Sequence, residues 1–178
     1  MKLATILEEI WGNHRCATAD DIRKAFGDYH NLLRWLVAFL TGEEKLADAC
    51  IVDACTIAET QTPDFHEWLI HWAARATVGC ALQGQHVALA ELAPEYEKTE
   101  PGHIEHRPLS AEYFGLLIKN SEEIHSRLDV LCRFVLVLHG IANDSYDKVA
   151  VQLGISRSAV EGAYCVAFDA LDLAVRGA

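Results

Sequence analysis

Apolar residues recur along this chain at spacings of three and four almost from end to end, with no β-hairpin signal and no repeat. Leu3, Ile6, Leu7 and Ile10 predict a first helix that ends near Gly12. Thr18-Ala-Asp-Asp21 is a capping start, with acids favourable in the first turn, for a short helix to about Phe26. Residues 29–40 are strongly apolar and stop at Thr41-Gly42. A helix over 43–59 follows, with Leu46, Ala47, Cys50, Ala54 and Ile57 on one face, and Pro63-Asp64 opens another that runs to about Leu82. Residues 93–109 hold three of the four prolines and read as a linker. Beyond it, Ser110 caps a helix to about Lys119, Ser121 caps the next, and Asp129 caps one through Leu138. The expected fold is all-α, with two small helical domains, 1–92 and 110–178, joined by the linker 93–109.

The segment 145–160 is more specific. Ser145 can cap a helix whose buried face is Val149, Ala150 and Leu153; Gly154 supplies a turn; Ser156 caps a second helix, which buries Val160. A small residue where two helices cross, glycine at the sharp turn and a β-branched residue beyond it fit a helix-turn-helix.

Composition narrows the picture. At 178 residues, half of them apolar, the chain is long enough for one medium globular domain or two small ones. Its apolar runs are too short to span a bilayer. Met1-Lys2-Leu3 running into Glu8-Glu9 is unlike a signal peptide, so a cytoplasmic location is expected. The six cysteines show no CxxC pair and read as buried free thiols. Net charge is −11, spread as −7 over residues 1–95 and −3 over 110–178. Neither half is basic, so unaided electrostatic attraction to a polyanion is excluded.

A second cluster lies at Phe65, Trp68, Leu69 and Trp72, spaced i, i+3, i+4 and i+7 on one helical face; core packing is its plainest account. Taken with Phe65-His-Glu-Trp68-Leu69, the run Ala47–Cys55, and the segments Arg133-Phe-Val-Leu-Val-Leu138, Ser145-Tyr146, Val149-Ala150, Leu153-Gly154-Ile155-Ser156 and Val160, the chain resembles bacterial sigma factors of the extracytoplasmic-function group. The resemblance covers about residues 29–82 and 121–172. It implies a region 2-like domain, a linker and a region 4-like helix-turn-helix, with core RNA polymerase and promoter DNA as partners and an anti-sigma factor as a further one. By position, the helix around Asp48 and Asp53 would face polymerase. The helix with Trp68, His71 and Arg75 would face the melted promoter element, and Lys148, Ser156, Arg157, Ser158 and Glu161 would lie at the DNA surface of region 4.

The chain departs from the family where charge matters. From Glu161 to Asp172 there is no basic residue and there are three acids, where the family places lysines and arginines. Residues 76–85 are neutral where a basic stretch is usual. The alternative is therefore a sigma mimic that occupies an anti-sigma factor or polymerase without reading DNA.

Other constellations are thin. His103-x-x-His106 lacks companions at metal-site spacing, His14 and Cys16 read as loop residues, and Cys50 and Cys55 fall on different helix faces, so core packing is expected for them. With no nucleophile–base pattern and no phosphate cradle, neither catalysis nor a cofactor is expected. The apolar stretches 164–168 and 171–175 call for a cover, supplied by the other domain or by a second copy in a homodimer.

Overall fold

The computed structural model describes residues 17–60, 69–99 and 109–176, and every regular element among them is helical. The elements are α1 (Ala19–Asp28), α2 (His30–Thr41), a 3-10 turn (Glu44–Leu46), α3 (Ala47–Thr60), α4 (Leu69–Gln83), α5 (His86–Tyr96), α6 (Ala111–Lys119), α7 (Ser121–Arg127) and α8 (Val130–Val135). A π-helical segment (Leu136–Ile141), α9 (Tyr146–Leu153) and α10 (Arg157–Arg176) complete them. The all-α class read from periodicity is what the chain adopts. The helix predicted over residues 3–10 lies outside the described residues. No described helix is long and apolar enough to cross a membrane.

Local chemistry sets most helix starts. Thr18 and Asp21 form a reciprocal capping box: Thr18 Oγ1 accepts from the Asp21 amide (3.2 Å) and Asp21 Oδ2 accepts from the Thr18 amide (2.9 Å). Ser110, Asp129 and Ser145 each accept the amide three residues on, as their positions before apolar runs predict. Ser121 departs from expectation. It is the first helical residue of α7 rather than its cap, and the preceding Asn120 makes no side-chain capping bond.

Backbone contacts group the helices into two compact units. In the first, α1 packs on α3, and Ile22, Phe26, Leu33, Ile51, Ala54, Ala58, Leu69 and Ala73 form the core. The inward face of α3 is Ala47, Ile51, Ala54 and Ala58, whereas Leu46 and Ile57 are 45% and 43% exposed and Cys50 is half-buried. Two stripes one residue apart both satisfy a 3.6-residue period. The alanine stripe is the one used, because small side chains let α1 approach closely.

The second unit takes in residues 39–42 at the end of α2 and the chain from Leu82 onward. Its centre is α10, packed against α5, α8 and α9. Tyr164, Phe134, Leu131, Leu136, Leu153 and Leu171 are fully or almost fully buried there. The sequence division at 92/93 cuts through α5, which runs on through Pro94 to Tyr96. Proline near a helix end loses only one hydrogen bond, so here it does not open a linker. Residues 93–99 are thus a helix end and its following turn, and residues 100–108 lie outside the described part.

Candidate functional site

The segment 145–160 builds the helix-turn-helix its sequence predicts. Ser145 Oγ accepts from the Lys148 amide at 3.3 Å, and Tyr146, Val149, Ala150 and Leu153 are buried beneath α9. Gly154 ends α9 in the left-handed region (φ 68°, ψ 32°), a conformation that a side chain resists, and its amide donates to the Ala150 carbonyl. Ser156 then caps α10 by accepting from the Ala159 amide at 3.2 Å, and Ala159 and Val160 are fully buried.

An aromatic cluster fastens this unit to the body. The π-helical turn buries His139, whose Nδ1–H donates to the Asp144 carbonyl at 2.8 Å. The His139 ring stacks on Tyr146 of α9 (4.0 Å, 24°) and meets Tyr164 of α10 edge-on (4.6 Å, 88°). Phe168 packs against Tyr164 on one side and Tyr113 on the other. Of the apolar stretches 164–168 and 171–175, Tyr164, Cys165, Ala167, Leu171 and Ala174 are buried and Val166 and Leu173 are exposed.

Of the side chains expected at a DNA surface over residues 148–161, both cations face acids. Lys148 Nζ lies 2.5 Å from Asp144 Oδ1. Arg157 donates from Nε to Glu161 at 2.8 Å and from NH1 to both oxygens of Asp147 at 3.2 Å. These contacts hold the Arg157 guanidinium above its ordinary range, the Glu161 bond first among them and the Asp147 charge next. Ser156 Oγ donates to Glu97 Oε1 at 2.6 Å and lies 3.1 Å from Ser158 Oγ. Glu161 is thus an internal partner of Arg157, not an open contact. Glu97 was invisible as a site residue because it lies 59 positions from Ser156 and inside the apparent linker.

The close approach of α5 to α10 has its own basis. A Cβ at Gly162 would overlap the Tyr96 carbonyl oxygen and press on Thr99, so only glycine admits that turn. Tyr96 Oη donates to Asp129 Oδ2 at 2.5 Å, and the Cys132 thiol lies 3.2 Å from the same hydroxyl and 3.5 Å from the Ala163 carbonyl. Burial pushes the Cys132 thiol from 9.0 up to about 12, with the Asp129 charge adding to it. The folded state keeps this proton where the unfolded chain loses it, so stability is lost as pH rises from about 9 to about 12. The urea midpoint should fall between pH ~8 and ~10.5, and Cys132→Ser should flatten that slope; an unchanged slope would remove Cys132 as its source.

In the first unit, His71 and Arg75 are exposed on α4, with Trp72 between them half-buried in the core and donating from Nε1 to the Ala58 carbonyl at 3.5 Å. Phe65 and Trp68 lie outside the described residues. Asp48 is held by Arg34 NH1, which is 3.2 Å from both carboxylate oxygens, and Arg34 NH2 also reaches Glu44 at 3.2 Å. Asp53 is exposed, and its charge raises the Cys50 and Cys80 thiols, in each case behind the larger effect of burial. Cys50, Cys55 and Cys80 are half-buried, while Cys132 and Cys165 are buried as expected. Among the described residues no group of three or more His, Cys, Asp or Glu is placed to hold a metal ion; His14, Cys16, His103 and His106 lie outside them.

Comparison of the chain with protein-family models, with curated proteins and with solved structures gives no match.

Proposed function

We propose that this chain is a sigma-type initiation protein, which binds core RNA polymerase in the cytoplasm and directs it to promoters through α9 and α10. The observation that carries the reading is the helix-turn-helix: a left-handed Gly154 between two capped helices, locked by Ala150 and Val160. The resemblance of residues 29–82 and 121–172 to the extracytoplasmic-function group agrees with it. In this reading α3 presents Asp48 and Asp53 to polymerase, and α4 presents His71 and Arg75 to the opened promoter element. Residues 144–161 carry three acids against two bases, so the free protein has no counterion-release drive toward DNA. Polymerase supplies that drive by holding the duplex close.

Core polymerase plus this protein should therefore yield run-off transcripts from some genomic fragments, while the protein alone leaves duplex DNA unbound at physiological salt. Tight, salt-sensitive binding by the free protein would overturn the second half of that expectation. A second reading, a mimic that binds polymerase or an anti-sigma factor without touching DNA, is favoured by the pairing of Lys148 and Arg157 with Asp144, Asp147 and Glu161. Arg157→Glu separates the two. It should abolish promoter-dependent transcription if α10 enters the groove, and leave partner capture unchanged in a mimic that yields no transcript to begin with.

A further inference from the structure

We propose that the turn following α5 is an autoinhibitory strap, with the Glu97 carboxylate seated on Ser156 at the start of α10 in the position a DNA phosphate would take. This deepens the reading of α10 as a DNA-facing helix and rests on it. The Ser156 hydroxyl donates to Glu97 Oε1 at 2.6 Å while accepting the Ala159 amide, so its one proton is already given to an internal anion. Amides in the first turn of a helix, with the helix dipole behind them, attract carboxylate and phosphate alike. The Glu97 carboxylate on the Ser156 hydroxyl takes up that donor and repels a backbone phosphate drawn to the helix start.

Glu97 is exposed, yet its backbone is not free to swing. Tyr96, next to it, is tied to Asp129 through its hydroxyl, and the Thr99 amide closes the turn on the Tyr96 carbonyl at 3.1 Å. The same carbonyl rests against Gly162, further along α10. Asp147 and Glu161 meanwhile hold Arg157, so acids from the α5 turn, α9 and α10 converge on the leading end of this helix. The acidity of the chain is thus placed, not merely spread.

The test compares Glu97→Gln and Glu97→Ala with Glu95→Gln, all in the full chain. Glu95 is an exposed acid two residues away at the end of α5, so its substitution makes the same change in net charge. Binding is read by fluorescence anisotropy on a labelled mixed-sequence duplex at low and moderate salt. Both Glu97 variants should bind roughly tenfold more tightly than the parent protein, with a salt slope steeper by about one, as for one phosphate contact regained. Glu95→Gln should stay within about twofold. Equal effects from residues 95 and 97, or none from either, would overturn the strap. Run-off transcription with core polymerase is scored separately. A transcript from the parent protein with equal binding by the 95 and 97 variants sinks the strap and leaves the proposed function standing. Tighter binding by the 97 variants with no transcript from any protein sinks the proposed function and leaves the strap as a mask over α10.

Discussion

Tyr164→Ala is expected to cost about 3–5 kcal/mol of stability, a large share of what holds a domain of this size folded. The Tyr164 side chain is fully buried, and its neighbours come from separate segments: His139 on the π-helical turn, Tyr146 on α9 and Phe168 one turn along α10. Three rings held from three backbones cannot all relax into the space one ring leaves, so the cavity stays largely open. The effect should reach the helix-turn-helix itself, because Tyr146 and the His139 bond to the Asp144 carbonyl place the start of α9. Urea unfolding followed by far-ultraviolet circular dichroism measures the loss. Tyr164→Phe keeps the ring and should cost under about 1.5 kcal/mol. Equal losses in the two variants would shift the weight to the hydroxyl and contradict the packing account.

Gly162→Ala should cost about 1–3 kcal/mol although it adds a single methyl group to a helix. Alanine favours helices over glycine by about 1 kcal/mol, so intrinsic propensity predicts a gain. The added Cβ, however, meets the Tyr96 carbonyl, a backbone atom that cannot rotate away, and Thr99 behind it. Either α10 shifts or the turn after α5 lifts, and lifting it also withdraws Glu97 from Ser156. Gly79→Ala in α4 is the matched control. A Cβ there has no neighbour within 4 Å, so that variant should gain stability. Gains at both positions would mean that α5 does not lie against α10 in solution.

Much of the architecture was legible along the chain because it rests on contacts a few residues apart. Thr18 with Asp21, Ser110, Asp129 and Ser145 announce their helices through bonds to amides three positions on. Gly154 and Ser156 do the same for the turn and its second helix. Local pattern fails where two solutions have nearly equal merit. Over residues 46–58 the stripe with Leu46 and Ile57 and the stripe with Ile51 and Ala58 differ by a rotation of one residue, and only the partner helix selects between them. The π-helical segment Leu136–Ile141 was equally hidden, and the rings that meet its buried His139 come from α9 and α10, out of reach of local pattern.

By itself, the sequence determined that this protein is all-α, where most of its helices begin and that a capped helix-turn-helix stands near its end. Those outcomes follow from period, caps and a left-handed glycine, which act within one or two turns. Only the tertiary structure decided that α5 belongs with the C-terminal helices, that Gly162 is there to admit Tyr96, and that Glu97 sits on Ser156. These are meetings of segments some sixty residues apart, fixed by which surfaces bury together, and no local pattern encodes them. The same holds for the charges. The chain's acidity could be counted along its length, but its placement around Arg157 and Ser156 is a property of the folded surface.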